Sequence, residues 1–198
     1  MRAPLLSAIL AATLLTPAAA HEPRRQHGAH SHGEGRLSIA IDGTKVALEL
    51  EAPAHDIVGF EHAPSNAAQR KALADAKARL EKASEVIGFP AAAGCTLASA
   101  KVEISGAAGG AAPDGAKGHA HDKAKAGGKA DGHGDHSEFH ATYAFECATP
   151  AALRTLSFPY FKSFKKADRL DVTIIGPGGQ SSSKVGRRKP TLEIRGAG

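Results

Sequence analysis

Two short runs of strict alternation, hinged on one dipeptide, constrain this chain most. Leu37, Ile39 and Ile41 alternate with polar or small residues, Asp42-Gly43 follows, and Val46, Leu48 and Leu50 alternate on the far side. A period of two places one set of side chains on one face of a strand, and Asp-Gly supplies the backbone a tight hairpin turn needs. Pro53 ends the second run. A helix is expected over 66–87, where Asn66 with Gln69 resembles a capping box and Gly88 and Pro90 terminate the segment. Leu73, Ala76, Leu80, Ala83 and Ile87 form its apolar stripe, the face that packs on a sheet, while Lys71, Asp75, Lys77, Arg79, Glu81 and Lys82 form its wet face.

Further strands are expected at Ala100, Val102 and Ile104, along the alternation Phe139, Ala141, Tyr143, Phe145 and Cys147, and at Leu170, Val172 and Ile174. That alternation turns Cys147 into the core and His140 out of it. Short helices are expected near 150–156 and 159–165, and edge strands near 181–185 and 191–194. Consecutive hairpins with interposed helices indicate an α+β domain: a mostly antiparallel sheet of about six to seven strands, one long helix and one or two short ones. Residues 106–136 carry Gly, Ala, Lys, Asp and His without periodicity and read as a disordered, low-complexity His-rich insertion.

Residues 1–20 read as a secretory signal peptide: Arg2, an apolar stretch from Leu5 to Leu15, then Ala18-Ala19-Ala20. Residues 21–35 follow as a flexible His-rich segment, and 36–198 as a single domain. Export makes a disulfide the default for Cys95 and Cys147; thiolate metal ligation would need reduced cysteines and usually a C-x-x-C pair. The net charge of +5 comes from dispersed basic residues, with two tyrosines and no tryptophan to stack on bases, so nucleic-acid binding is not expected. No later apolar run reaches membrane length, so no stable membrane insertion is expected either.

The eleven histidines are not scattered. His21, His27, His30 and His32 open the expected mature chain, and His119, His121, His133, His136 and His140 lie in or beside the insertion. Imidazole binds borderline metals as its neutral base, and H-x-x-H-x-H, H-x-H and H-x-x-H-x-x-x-H spacings let two or three imidazoles reach one ion. Asp122, Asp131, Asp135 and Glu138 are possible oxygen donors. His-rich sequence can also be solvated filler. His55 and His62 stand apart, and Glu61-His62 sets a carboxylate beside an imidazole, either a metal pair or a structural contact. The candidate metal ligands are therefore His27, His30, His32, His62, His119, His121, His133, His136 and His140. Ligand type does not separate Zn2+ from Cu2+ or Ni2+. No nucleophile elbow, P-loop, H-E-x-x-H or dinucleotide fingerprint occurs, and no catalytic residue is expected.

His27-Gly-Ala-His30-Ser-His32-Gly-Glu-Gly35, the following Leu37–Gly43 run and Asp56-Ile-Val-Gly-Phe-Glu-His62-Ala-Pro64 resemble the ZrgA-type periplasmic zinc-uptake proteins. The cysteine pair, the insertion between its members and Pro150-Ala-Ala-Leu-Arg154 are similar too. The resemblance implies a periplasmic, non-enzymatic zinc-binding accessory protein that works beside a zinc ABC transporter and its substrate-binding protein; a monomer is expected. Two other classes remain open on the residues: a copper protein or copper enzyme using His21 at a free amino terminus, and a structural envelope protein with incidental histidines.

Overall fold

A computed structural model describes residues 31–109 and 136–194. The expected signal peptide, His21, His27, His30, His119, His121, His133 and most of the insertion lie outside the described residues.

The expected hairpin forms from β1 (Glu34–Asp42) and β2 (Lys45–Pro53), paired antiparallel from Arg36↔Glu51 to Asp42↔Lys45. Gly43 at the turn has φ +54°, the left-handed conformation an Asp-Gly turn requires. Pro53 leads into a short helix, α1 (Ala54–Val58), closed by Gly59 at φ +91°. The long helix α2 (Ala67–Leu80) starts where expected: Asn66 accepts the Gln69 N–H at 2.9 Å, and Gln69 reaches back to the Ser65 N–H at 2.8 Å. It ends earlier than 87, at Leu80, whose carbonyl accepts the Tyr143 hydroxyl at 2.7 Å. The apolar stripe nevertheless continues into the core, because a 3-10 turn (Ala83–Glu85) keeps Ala83 and Ile87 buried.

β3 (Cys95–Ser105) and β4 (Glu138–Cys147) follow, then a short strand β5 (Thr155–Ser157), a one-turn helix α3 (Tyr160–Ser163), β6 (Arg169–Gly176), β7 (Gly179–Gly186) and β8 (Thr191–Glu193). Six strands form one sheet in the order β3-β4-β2-β1-β6-β7, and β5 pairs with β8 separately. The sheet is mixed, which corrects the expectation of a mostly antiparallel one. β6 runs parallel to β1, from Glu34↔Arg169 to Ala40↔Ile175, because the chain travels through β2, α1, α2, β3, β4, β5 and α3 before returning beside its first strand.

One face of the sheet carries the core: Leu37, Ile39, Leu50, Phe139, Tyr143, Leu170 and Val172 pack with Leu80, Tyr160 and Phe164. The opposite face is wet, and one registered row crosses all six strands as Glu103, His140, Glu51, Arg36, Asp171 and Lys184. Cys95 and Cys147 sit opposite each other across β3 and β4 and are joined by a disulfide.

Candidate metal centre

The strand directions decide where the histidines go. β2 runs antiparallel to both of its neighbours, so its last residues lie beside the first residues of β1 and β4 (Arg36↔Glu51 and Pro53↔Glu138). The chain just before β1 ends in His32-Gly33, the chain just before β4 is His136 and Ser137, and the chain leaving β2 carries His55, Asp56 and Glu61. All of these meet at one end of the sheet.

Glu61 is the hub. Its Oε2 lies 2.7 Å from His136 Nδ1, and its Oε1 lies 3.3 Å from His32 Nε2. The His32 ring stacks on His55, with centroids 4.3 Å apart and 25° between planes. Burial pushes the Glu61 carboxyl up, but the hydrogen bonds and positive charge of His136 and His32 outweigh it and hold the group below its ordinary range. Its backbone is held as well. The Ser137 hydroxyl donates to the Glu61 carbonyl, the Ala108 N–H donates to the Ser137 hydroxyl at 2.7 Å, and the Ala54 N–H donates to the Ser137 carbonyl at 2.8 Å. The described ends of the insertion, 106–109 and 136, are thereby tied to the segment that carries Glu61.

Asp56 sits underneath. It is 1 % exposed, its Oδ1 accepts the Gly33 N–H at 2.8 Å, and the same oxygen lies 3.5 Å from His55 Nδ1. It thus links the residue after His32 to the helix that carries His55. Burial raises the Asp56 carboxyl above its ordinary value, against the Gly33 hydrogen bond and the neighbouring His55 and His32. Asp56 Oδ2 is buried without a hydrogen bond among the described residues, while His55 Nδ1 and Glu61 Oε1 have only the long contacts to Asp56 at 3.5 Å and to His32 at 3.3 Å. A buried oxygen left without a partner beside such long contacts is what a polar ligand would satisfy.

Of the other expected ligands, His62 is turned to its own backbone: its Nδ1 is 2.8 Å from the Ala63 carbonyl and its ring stacks on Phe60. His140 faces away from the core as expected, on the wet side of β4, with Nε2 at 3.1 Å from Glu138 Oε2 and 3.2 Å from Ser105 Oγ. It belongs to a separate pair. His55 was set apart with His62 in the sequence but not counted among the candidate ligands, and the hub role of Glu61 was not singled out. The hairpin register could have found both, because it fixes which chain ends share one end of the sheet.

Among the described residues, no group of three or more His, Cys, Asp or Glu side chains stands ready as a metal-ligand set. The imidazoles and the carboxylate bond one another instead. Such bonds occupy the same nitrogen and oxygen lone pairs that a cation would take, once the imidazoles give up their protons. An α+β domain that gathers imidazoles around a carboxylate at one sheet end falls in the class of candidate metal-handling proteins. The chain belongs to the family of ZrgA family zinc uptake proteins, whose family model matches residues 29–194. Its role accordingly lies in zinc uptake. No curated protein matches the chain. No helix among the described residues is long and apolar enough to cross a membrane.

Proposed function

We propose that this protein captures Zn2+ at the sheet end defined by His32, Glu61 and His136, with His55 beside them, and passes it on without chemical change. The observation that carries this reading is the Glu61 carboxylate flanked by imidazoles from two separate histidine tracts, in a member of a zinc uptake family. The tracts lead into the site from both sides: His30 is two residues before His32, and His133 three before His136. His27, His30, His119, His121 and His133 then act as outlying imidazoles that raise the local zinc concentration around the tighter site. The protein works in the periplasm, behind a cleaved leader, and hands zinc to the substrate-binding component of an ABC-type importer. Cu2+ and Ni2+ compete for the same nitrogens.

Calorimetric titration of metal-free protein with zinc, copper and nickel tests the reading, with full-length mature chain compared to a deletion of residues 110–135. The deletion is expected to lower the number of ions bound while keeping the tightest one. Loss of all zinc binding on deletion would move the primary site into the insertion and overturn the assignment.

A further inference from the structure

The same end of the sheet carries a second chemical feature that zinc binding does not use. Because β6 is parallel to β1 and β7 is antiparallel to β6, the start of β6 and the end of β7 lie at the histidine end (Glu34↔Arg169, Arg169↔Gly186). The segments just outside those strand ends are basic. Lys162, Lys165, Lys166, Arg188 and Lys189 are all exposed, and none forms an ion pair among the described residues. Arg187 ties the backbone of the two segments together. Its guanidinium donates to the carbonyls of Phe161 and Phe164, at 2.9 and 3.3 Å, and to those of Lys165 and Ala167.

The patch borders the site through Lys166 and the backbone of 168–169. The Asp168 and Arg169 N–H groups both donate to the carbonyl of Gly33, the residue after His32, at 2.9 and 2.8 Å. The Lys166 ammonium lies over Gly59, 3.0 Å from where a Cβ would stand there, two residues before Glu61. Of the nearby carboxylates, Asp168 pairs with Arg187 at 3.6 Å and Glu85 with Arg79 at 3.3 Å and with the Ser163 hydroxyl, and Glu193 shares a groove with Lys189 at the edge of the patch.

Unpaired cations beside a cation site weaken that site by repulsion, so their presence needs another reason. A protein that accepts Zn2+ must itself present carboxylates and imidazoles, and a surface of that kind is drawn to fixed positive charge. The large apolar side chains exposed among the described residues, Leu97 and Ile175, lie outside the patch, which therefore offers nothing to insert into a lipid layer. We propose that Lys162, Lys165, Lys166, Arg188 and Lys189 form a docking surface for an acidic protein segment, which they bring against the histidine site. The inference rests on the zinc reading for its purpose but not for its test.

The test uses metal-free, full-length mature protein and a labelled glutamate-rich peptide as probe, with anisotropy read at several salt concentrations. One variant reverses the patch (Lys162→Glu, Lys165→Glu, Lys166→Glu, Arg188→Glu, Lys189→Glu). A second reverses the same number of cations elsewhere (Lys45→Glu, Arg70→Glu, Lys71→Glu, Lys77→Glu, Lys101→Glu), and circular dichroism confirms that both fold. Patch reversal is expected to weaken peptide binding by about tenfold or more and to flatten its salt dependence, while remote reversal has a much smaller effect. Equal losses in the two variants would show attraction to net charge alone and overturn the proposal. So would tighter, patch-dependent binding to phosphatidylglycerol vesicles than to the peptide, since the surface would then face a membrane. Zinc titration of the patch variant separates the two readings. Zinc binding no weaker than wild type with lost peptide binding supports docking, and absent zinc binding in wild type with intact peptide binding sinks the zinc reading alone.

Discussion

At the hairpin end of β2 and β4 the sheet is closed covalently. The Cys95–Cys147 disulfide joins β3 to β4, the Cys147 N–H donates to the Thr44 carbonyl at 2.8 Å, and the Thr44 hydroxyl donates to Glu146. At the opposite end the same strands emerge into α1, the His32 segment and the end of the insertion, which are joined largely by polar bonds among His32, Asp56, Glu61, His136 and Ser137. The contrast has a physical meaning. The covalent cross-link lies at one end, and the end proposed to take a metal ion is held by polar bonds that can be rearranged singly. The core between the two ends, including Leu48, Leu50, Phe139 and Tyr143, keeps them in register.

The comparison breaks most visibly at the covalent end. Replacing Cys95 and Cys147 with Ala removes a cross-link between residues 52 apart, which in the loop-entropy account costs about 4 kcal/mol of stability. Urea unfolding of the metal-free protein should show that loss, while zinc affinity of the folded variant stays as in wild type. A parallel loss of affinity would mean that the two ends are not independent.

The open end should respond to protons instead. An imidazole has an ordinary pKa of about 6.5 and binds metal only as the neutral base. Between about pH 7.5 and 5.5, two imidazole ligands then lose about a hundredfold in apparent zinc affinity. Titrations across that range check it, and a flat profile would exclude histidine ligation.

A smaller effect lies between the two ends. Tyr143→Phe leaves the Leu80 carbonyl, at the last residue of α2, without its hydroxyl partner, for a cost of about 1 kcal/mol in thermal or urea unfolding. Zinc affinity should not change. The smallest effect concerns Asp56. Its folded pKa is raised by burial, so the fold favours the protonated form and loses stability as pH rises from the ordinary carboxylate value through the raised one. Asp56→Asn keeps an oxygen for the Gly33 N–H and removes that loss. Metal-free Asp56→Asn should therefore be at least as stable as wild type near neutrality, with the gain vanishing below the ordinary carboxylate range. Lower stability at neutral pH would show that the carboxylate is a net support.

Much of the frame was legible because it rests on local patterns. The alternation of residues 37–50 specified the hairpin, the Asn66–Gln69 cap began the helix, and the phase of residues 139–147 sent Cys147 inward and His140 outward. The parallel pairing of β1 with β6 was not legible, since Leu170, Val172 and Ile174 alternate identically whichever neighbour they join. The site was half legible. His32 and His136 stood out by composition, but Glu61 and His55 lie in a segment with no repeat, and only strand direction brings them between the two tracts. The early end of α2 was hidden for a related reason. Ala83 and Ile87 stay buried in a 3-10 turn and its exit, so the apolar spacing persists after the helix has stopped.

The central claim is that Glu61, His32 and His136 hold the tightest zinc ion. It is tested most directly by calorimetric titration of metal-free wild type, His32→Ala, Glu61→Gln, His136→Ala and His62→Ala at neutral pH. The account predicts that each of the first three substitutions weakens the tightest site by about tenfold or more, while His62→Ala leaves it unchanged. An unchanged tightest site in His32→Ala, Glu61→Gln and His136→Ala would contradict it.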